Sequence, residues 1–272
     1  MIRIGVNNFL DLKDTGTGEP VLVVPLKCWL ADDLAPLAET HRVVFYDPRG
    51  RGGSTAKDPD ELGFDHDVED LETLRLNLGL NRISILGWGY YSLVAAGYAS
   101  RHPEHLDGVI MVGTPGITAT WWPQAIGSLQ ERLDMPALEA MKTDQPELEN
   151  EAYCRQWNQI MLRGYFADPK NLAEMKSNPC RHKNEFPSNL SRSVGAVFSS
   201  LGDWDLSGEW ESVTVPTLVM HGEEDWNPVA SAEAWVPANP NATLVTVEDA
   251  GNMPWLENPR FFERIEAFLG SL

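Results

Sequence analysis

Positive charge is scarce in this chain: 21 Lys and Arg stand against 40 Asp and Glu in 272 residues, a formal net charge of −19. Nucleic acid and anionic membranes recruit clustered cations, so both are excluded as partners, and the acidic surface reads as a solvated one. Cysteine is equally sparse. Cys28, Cys154 and Cys180 show neither metal-ligand spacing nor an even-numbered disulfide framework. Free thiols in a reducing compartment are therefore expected, which points to the cytoplasm and to no bound metal. Apolar runs are short, none approaching the roughly 18 residues of a membrane span. The N-terminus MIRIGVNNFLDLKD lacks the basic and then apolar regions of a signal peptide. Internal repeats and low-complexity stretches are missing too. What remains is a 43% hydrophobic share, ordinary for a globular protein. A chain of this length can fold as one α/β domain.

Strand and helix signals alternate along the first part. Ile2–Val6 and Phe9–Leu12 read as a hairpin, followed by the turn cluster TGTGEP and the β-branched run VLVVP, a strand buried on both faces. A helical stretch around Asp32–Ala38 leads to HRVVFY and the loop DPRGRGGS. An amphipathic helix over Asp65–Leu78 precedes the strand RISIL, a helix to about Ser100, and GVIMV. Such alternation predicts a mostly parallel central sheet with helices on both faces. It stops near Gly113 and resumes at VPTLVMHG. The expected organisation is an α/β core over 1–115 and 213–272, interrupted by a helical lid at 116–212 that covers the sheet's C-terminal edge. One more helix, the strand ATLVTV and a terminal helix at PRFFERIEAFL complete the chain.

Between RISIL and the alanine-rich helix lies GWGYYS, a strand–turn–helix junction. This junction, the loop DPRGRGGS, VPTLVMHGEEDWNP and AGNMPWLENP stand in the order and spacing of the α/β-hydrolase family. The chain resembles its small lidded members, such as proline iminopeptidases and esterases. The resemblance implies the α/β-hydrolase fold and a serine nucleophile at the elbow, followed in chain order by an acid and a histidine. Aligned on these motifs, Gly89 stands at the serine position, Asp225 at the acid position and Asn252 at the histidine position. A serine hydroxyl needs a neighbouring base, and the asparagine amide is not one. The family's His-Gly after the third strand is replaced by Pro25 and Leu26. Proline has no N–H, and leucine is poorly suited to the backbone conformation that glycine permits. The backbone N–H of Tyr90 remains as one oxyanion donor.

Substitutes for the missing nucleophile are weak. Ser92 falls one turn into the helix and is expected to pack there. Cys28 falls in the loop that faces the pocket, but without a partnered histidine its thiol is expected to be mostly protonated, although Lys27 is adjacent, and it reads as a small buried hydrophobe. The histidines are structural by default, His182 and His221 being the two closest to the pocket. Arg49, Arg51 and Glu257 read as structural contacts.

The predicted cleft is aromatic. Trp29, Trp88, Tyr90, Tyr91, Trp226 and Trp255 come from motif-anchored loops and Trp122 from the start of the lid, with Leu26 and Cys28 beside them. Any one of these rings can simply fill a core. Gathered at the C-terminal ends of strands, they instead predict a pocket for a small, largely apolar molecule. Asp225 is its notable polar group, acting as an acid or base, orienting a ligand, or merely capping its own turn.

Three functions follow as expectations. One is a non-hydrolytic enzyme needing no cofactor, which positions a substrate for cyclisation, elimination, isomerisation or a pericyclic step. Another is a ligand-binding pseudo-hydrolase, a sensor, carrier or scaffold. The third is a peptidase or esterase inactivated by substitution at Gly89 and Asn252. A homo-oligomer is compatible with all three, and nothing in the motifs names the substrate.

Overall fold

The computed structural model describes residues 1–4, 8–144 and 150–272. Eight strands form one sheet: β1 Ile2–Ile4, β2 Asn8–Thr15, β3 Leu22–Pro25, β4 Val43–Asp47, β5 Ile83–Trp88, β6 Leu106–Val112, β7 Thr217–Gly222 and β8 Ala242–Val247. Their spatial order is β1-β2-β4-β3-β5-β6-β7-β8. The pairs β1/β2 and β2/β4 are antiparallel, and all the others run parallel. The runs that read as continuous and apolar are the parallel core: every residue of β3, β4, β5 and β7 is buried. The hairpin expected over Ile2–Val6 and Phe9–Leu12 exists as β1/β2, while residues 5–7 lie outside the described residues.

The helices in chain order are α1 Lys27–Leu30, α2 Phe64–Asn77, α3 Tyr90–Arg101, α4 Trp122–Arg132, α5 Met135–Asp144, α6 Glu151–Met161, α7 Pro187–Leu201, α8 Ser207–Trp210, α9 Val229–Glu233 and α10 Arg260–Leu269. The last shows how sequence spacing sets packing. Phe261, Ile265 and Leu269 recur every fourth residue and are all buried. Each such side chain contributes roughly 1.5–3 kcal/mol by leaving water. The helix expected at Asp32–Ala38 is shorter, a 3₁₀ turn over Ala35–Glu39 with Pro36 in its first turn. Asp33 lies outside it, and its carboxylate accepts from the backbone N–H of Lys176 at 2.7 Å.

Strand order reverses between β3 and β5. Right-handed crossovers leaving that point in opposite directions place helices on opposite faces, and the crevice between them opens at the strands' carboxyl ends. Leu26 follows β3 and Gly89 follows β5, so both flank the crevice. Helices α4 to α8, joined by 3₁₀ turns, fill the stretch between β6 and β7 and form a cap.

The cysteines require a correction. Cys154 on α6 and Cys180 are joined in a disulfide across 26 residues, leaving Cys28 as the free thiol. Spacing along the chain did not reveal the pair because the cap folds those segments together. Disulfides persist in oxidising compartments, so the thiol argument for the cytoplasm falls away. No helix among the described residues is long and apolar enough to cross a membrane.

Candidate functional site

The junction between β5 and α3 is tight. A Cβ on Gly87 would sit 2.3 Å from the backbone oxygen of Tyr91, so only glycine fits there. Gly89 has φ 56° and ψ −125°, a conformation that costs other residues roughly 1–3 kcal/mol. Nothing lies within 4 Å of the position its Cβ would take. Gly89→Ser therefore meets strain without a clash. The expected result is a fall in melting temperature of about 2–4 °C for each kcal/mol, read by calorimetry.

Above Gly89 lies a cavity of about 290 Å³. Its floor comes from strand ends: Leu26 and Trp29 after β3, Trp88, Tyr90 and Tyr91 around the elbow, Trp226 and Asn252 from the last two crossings. Its roof comes from the cap, with Trp122 and Ile126 of α4, Tyr165, and Val197 and Phe198 of α7. The rings touch one another. Trp122 stacks on Phe198 at 4.5 Å, Tyr165 meets Trp226 at 5.7 Å, and Tyr90 meets Tyr91 edge-on at 5.0 Å.

Three expected pocket residues stand behind this wall. Trp255 packs edge-on against Trp88 at 5.4 Å. Cys28 is buried under the loop, its N–H donating to Asp47 Oδ1 at 2.8 Å, and burial pushes its thiol well up. Asp225 is the third. Its side chain is closed to solvent, and Asn252 Nδ2 donates to both of its oxygens at 3.0 and 2.9 Å. Asp225 also accepts from the Asn227 N–H at 2.9 Å, capping its turn. Asn252 Oδ1 in turn accepts from Trp88 Nε1 at 2.9 Å. Asp225 thus acts through Asn252 on the orientation of an indole that lines the cavity, and burial raises its pKa.

The remaining candidates sort cleanly. Ser92 Oγ donates to Gly87 O at 2.9 Å inside the helix. His221 Nε2 donates to Asn227 O at 2.9 Å, and neither His221 nor His182 lines the cavity. Glu257 accepts from the backbone of Ala167 and Gly251 at 2.9 and 2.6 Å. Leu26 departs from expectation: it takes φ 67° and ψ 50°, the left-handed region usually left to glycine.

The opposite end of the cavity is polar: Arg49 and Arg51, expected as structural contacts, stand there in ion pairs, beside Asp67, which was not among the expected site residues. Arg49, Arg51 and Asp67 line it with Tyr90 and Tyr91. Arg49 forks onto Asp70 at 2.6 and 2.8 Å. Arg51 forks onto Glu185 of the cap at 3.0 and 2.8 Å, and Glu185 also accepts from Trp29 Nε1 and the Gly52 N–H at 2.6 and 2.7 Å. Burial works against the Glu185 carboxylate, but the Arg51 charge and these hydrogen bonds outweigh it and hold its pKa below the usual value. Asp67 accepts from the Tyr90 hydroxyl at 3.0 Å. Its burial, reinforced by Asp70, pushes its pKa up to about 7 against the pull of Tyr90, Arg51 and Arg49. A signal for Asp67 was present in the chain. It falls three residues after Phe64 and four before Leu71, a carboxyl on the buried stripe of α2.

The model of the alpha/beta hydrolase fold family matches residues 25–259. The chain belongs to the α/β-hydrolase fold family. A proline iminopeptidase of Heyndrickxia coagulans is 24% identical over 278 residues, covering 97% of this chain and 95% of that protein. One from Saccharolobus solfataricus is 27% identical over 254 residues, covering 88% and 80%. Among solved structures, a bromoperoxidase from Bacillus anthracis superposes with a TM-score of 0.71 at 21% identity, covering 96% and 95% of the two chains. The first two relatives are hydrolases by name, and the third likeness is one of fold.

Proposed function

We propose that this α/β-hydrolase-fold chain is a non-hydrolytic enzyme. It holds a small, largely apolar molecule and promotes its isomerisation, cyclisation, elimination or pericyclic rearrangement without a serine nucleophile. The observation that carries this reading is the elbow: Gly89 presents no side chain, and open space stands where a nucleophilic oxygen would. Asn252 at the histidine position is bound to Asp225 and Trp88 through both ends of its amide. An amide has no proton-accepting role there at neutral pH. The aromatic walls supply positioning and water exclusion. At about 290 Å³ the cavity stands at the lower end of the roughly 300–1,000 Å³ range of small-molecule pockets, so it suits a small ligand.

The test combines a probe with a product analysis. Incubation with a fluorophosphonate is expected to leave the intact mass unchanged, with no turnover of p-nitrophenyl esters. Small molecules captured by the protein from host extract are then incubated with it in excess and followed by chromatography. Conversion to an isomer or elimination product is expected. Stoichiometric labelling with ester turnover overturns the reading in favour of a hydrolase, and quantitative recovery of an unchanged ligand overturns it in favour of a carrier.

A further inference from the structure

Six carboxyl groups are buried among the described residues: Asp33, Asp47, Asp67, Asp70, Glu185 and Asp225. Five have committed partners. Arg49 forks onto Asp70, Arg51 onto Glu185, and Asn252 donates twice to Asp225. Lys27 and two backbone N–H groups hold Asp47, while the N–H groups of Lys176 and Ser177 hold Asp33. Asp67 has no ion pair and a single hydrogen bond, from Tyr90 to Oδ2. Its second oxygen is left open, and the residue lies on the cavity wall. That oxygen is not shut away from the cavity, so a molecule bound there can donate to it.

We propose that Asp67 is the proton-exchanging group of this cavity, positioned by Tyr90, and that the substrate presents a hydroxyl or an enolisable carbonyl to it from an otherwise apolar body. This rests on the non-hydrolytic reading above. Around Asp67 stand Tyr46 from β4, Arg49 and Arg51 from the following loop, Asp70 from its own helix, and Tyr90 and Tyr91 from α3. Both guanidiniums are spent on other carboxylates, so neither locks Asp67 in its charged form. With a pKa near 7, both protonation states are populated at neutral pH, as an acid–base group requires. The Tyr90 phenol is pushed well up by burial and keeps its proton, so it serves as a fixed donor.

The step balances without a co-reactant. The Asp67 carboxylate takes a proton from a substrate O–H or from the C–H beside a carbonyl. The electron pair left behind forms a new bond within the substrate. The carboxylic acid then returns that proton to the atom that has gained electron density. Nothing is oxidised or reduced and no group leaves, so the product is an isomer or a ring-closed form.

The test compares two probes of one shape, 2-naphthol and 2-methylnaphthalene, by quenching of the intrinsic tryptophan fluorescence of the full chain. A hydroxyl donating to a carboxylate is expected to favour 2-naphthol at least about tenfold at pH 8. Calorimetry at pH 7 in two buffers of different ionisation enthalpy is expected to show proton release with 2-naphthol alone. In Asp67→Asn the release vanishes and the preference falls below about threefold. Tyr90→Phe removes a hydrogen bond that favours the charged form, so the pH of maximal release moves upward. Equal affinity for the two probes, binding of neither, release that persists in Asp67→Asn, or an unmoved maximum in Tyr90→Phe overturns the assignment. Fluorophosphonate labelling would sink the non-hydrolytic reading without altering the proton count, so the two failures are separable.

Discussion

Asp67→Asn is expected to raise the melting temperature at pH 8 by on the order of 10 °C, while changing it little at pH 4. The sign follows from the direction of the shift. The folded chain holds a proton on Asp67 up to about pH 7, whereas the unfolded chain releases it near the ordinary aspartate value of 3.8. Between those limits the folded state binds more protons, so stability falls as pH rises through the window and levels off above it. At 1.36 kcal/mol per pKa unit, the full loss approaches about 4 kcal/mol. The asparagine amide keeps an acceptor for the Tyr90 hydroxyl but does not titrate. Contributions from Asp33 and Asp225, whose pKa values are also raised, are common to both proteins and cancel in the difference. Asp70, which repels the Asp67 charge, is relieved in the variant and adds to the same sign. Scanning calorimetry of the pair at pH 4, 6 and 8 measures it. Parallel pH profiles would show that Asp67 ionises normally. A carboxyl that destabilises its own fold fits a residue kept for what it does in the cavity.

Arg51→Met is expected to cost about 3–5 kcal/mol at neutral pH, because it strands a buried carboxylate. The Glu185 side chain is closed to solvent and that of Arg51 nearly so, with the shortest contact at 2.8 Å. Methionine fills much of the arginine's length and removes the charge. Trp29 Nε1 and the Gly52 N–H remain on Glu185, but two neutral donors do not offset a buried charge. Arg51→Met/Glu185→Gln is expected to recover most of the loss. Urea denaturation of the wild type, both single variants and the double closes the cycle, with a coupling near 3 kcal/mol. Additive effects would mean that the pair does not hold the cap to the core.

Much of the architecture was legible because it is local. VLVVP, HRVVFY, RISIL, GVIMV and VPTLVMHG read as buried strands, and each became one in the parallel sheet. The aromatic side of the cavity was legible for the same reason, since Trp88, Tyr90 and Trp226 sit beside motifs that mark strand ends. The polar side was hidden by distance along the chain. Glu185 meets Arg51 across 134 residues, in a cap segment without periodicity. Cys154 and Cys180 meet for the same reason. For Asp225 the sequence left acid–base, orienting and capping roles open; in the fold its carboxylate holds Asn252 through both oxygens and caps its own turn at Asn227.

Leu26 bears on what it would take to build acyl transfer into this cavity. At φ 67° and ψ 50°, a leucine occupies backbone territory that costs an L-residue roughly 1–2 kcal/mol. Pro25 beside it offers no amide hydrogen. Placing a serine at Gly89 and a histidine at Asn252 would supply side chains of acyl transfer beside a turn that is not shaped for it. The three positions are therefore epistatic: the two side-chain substitutions gain value only together with a different turn behind β3.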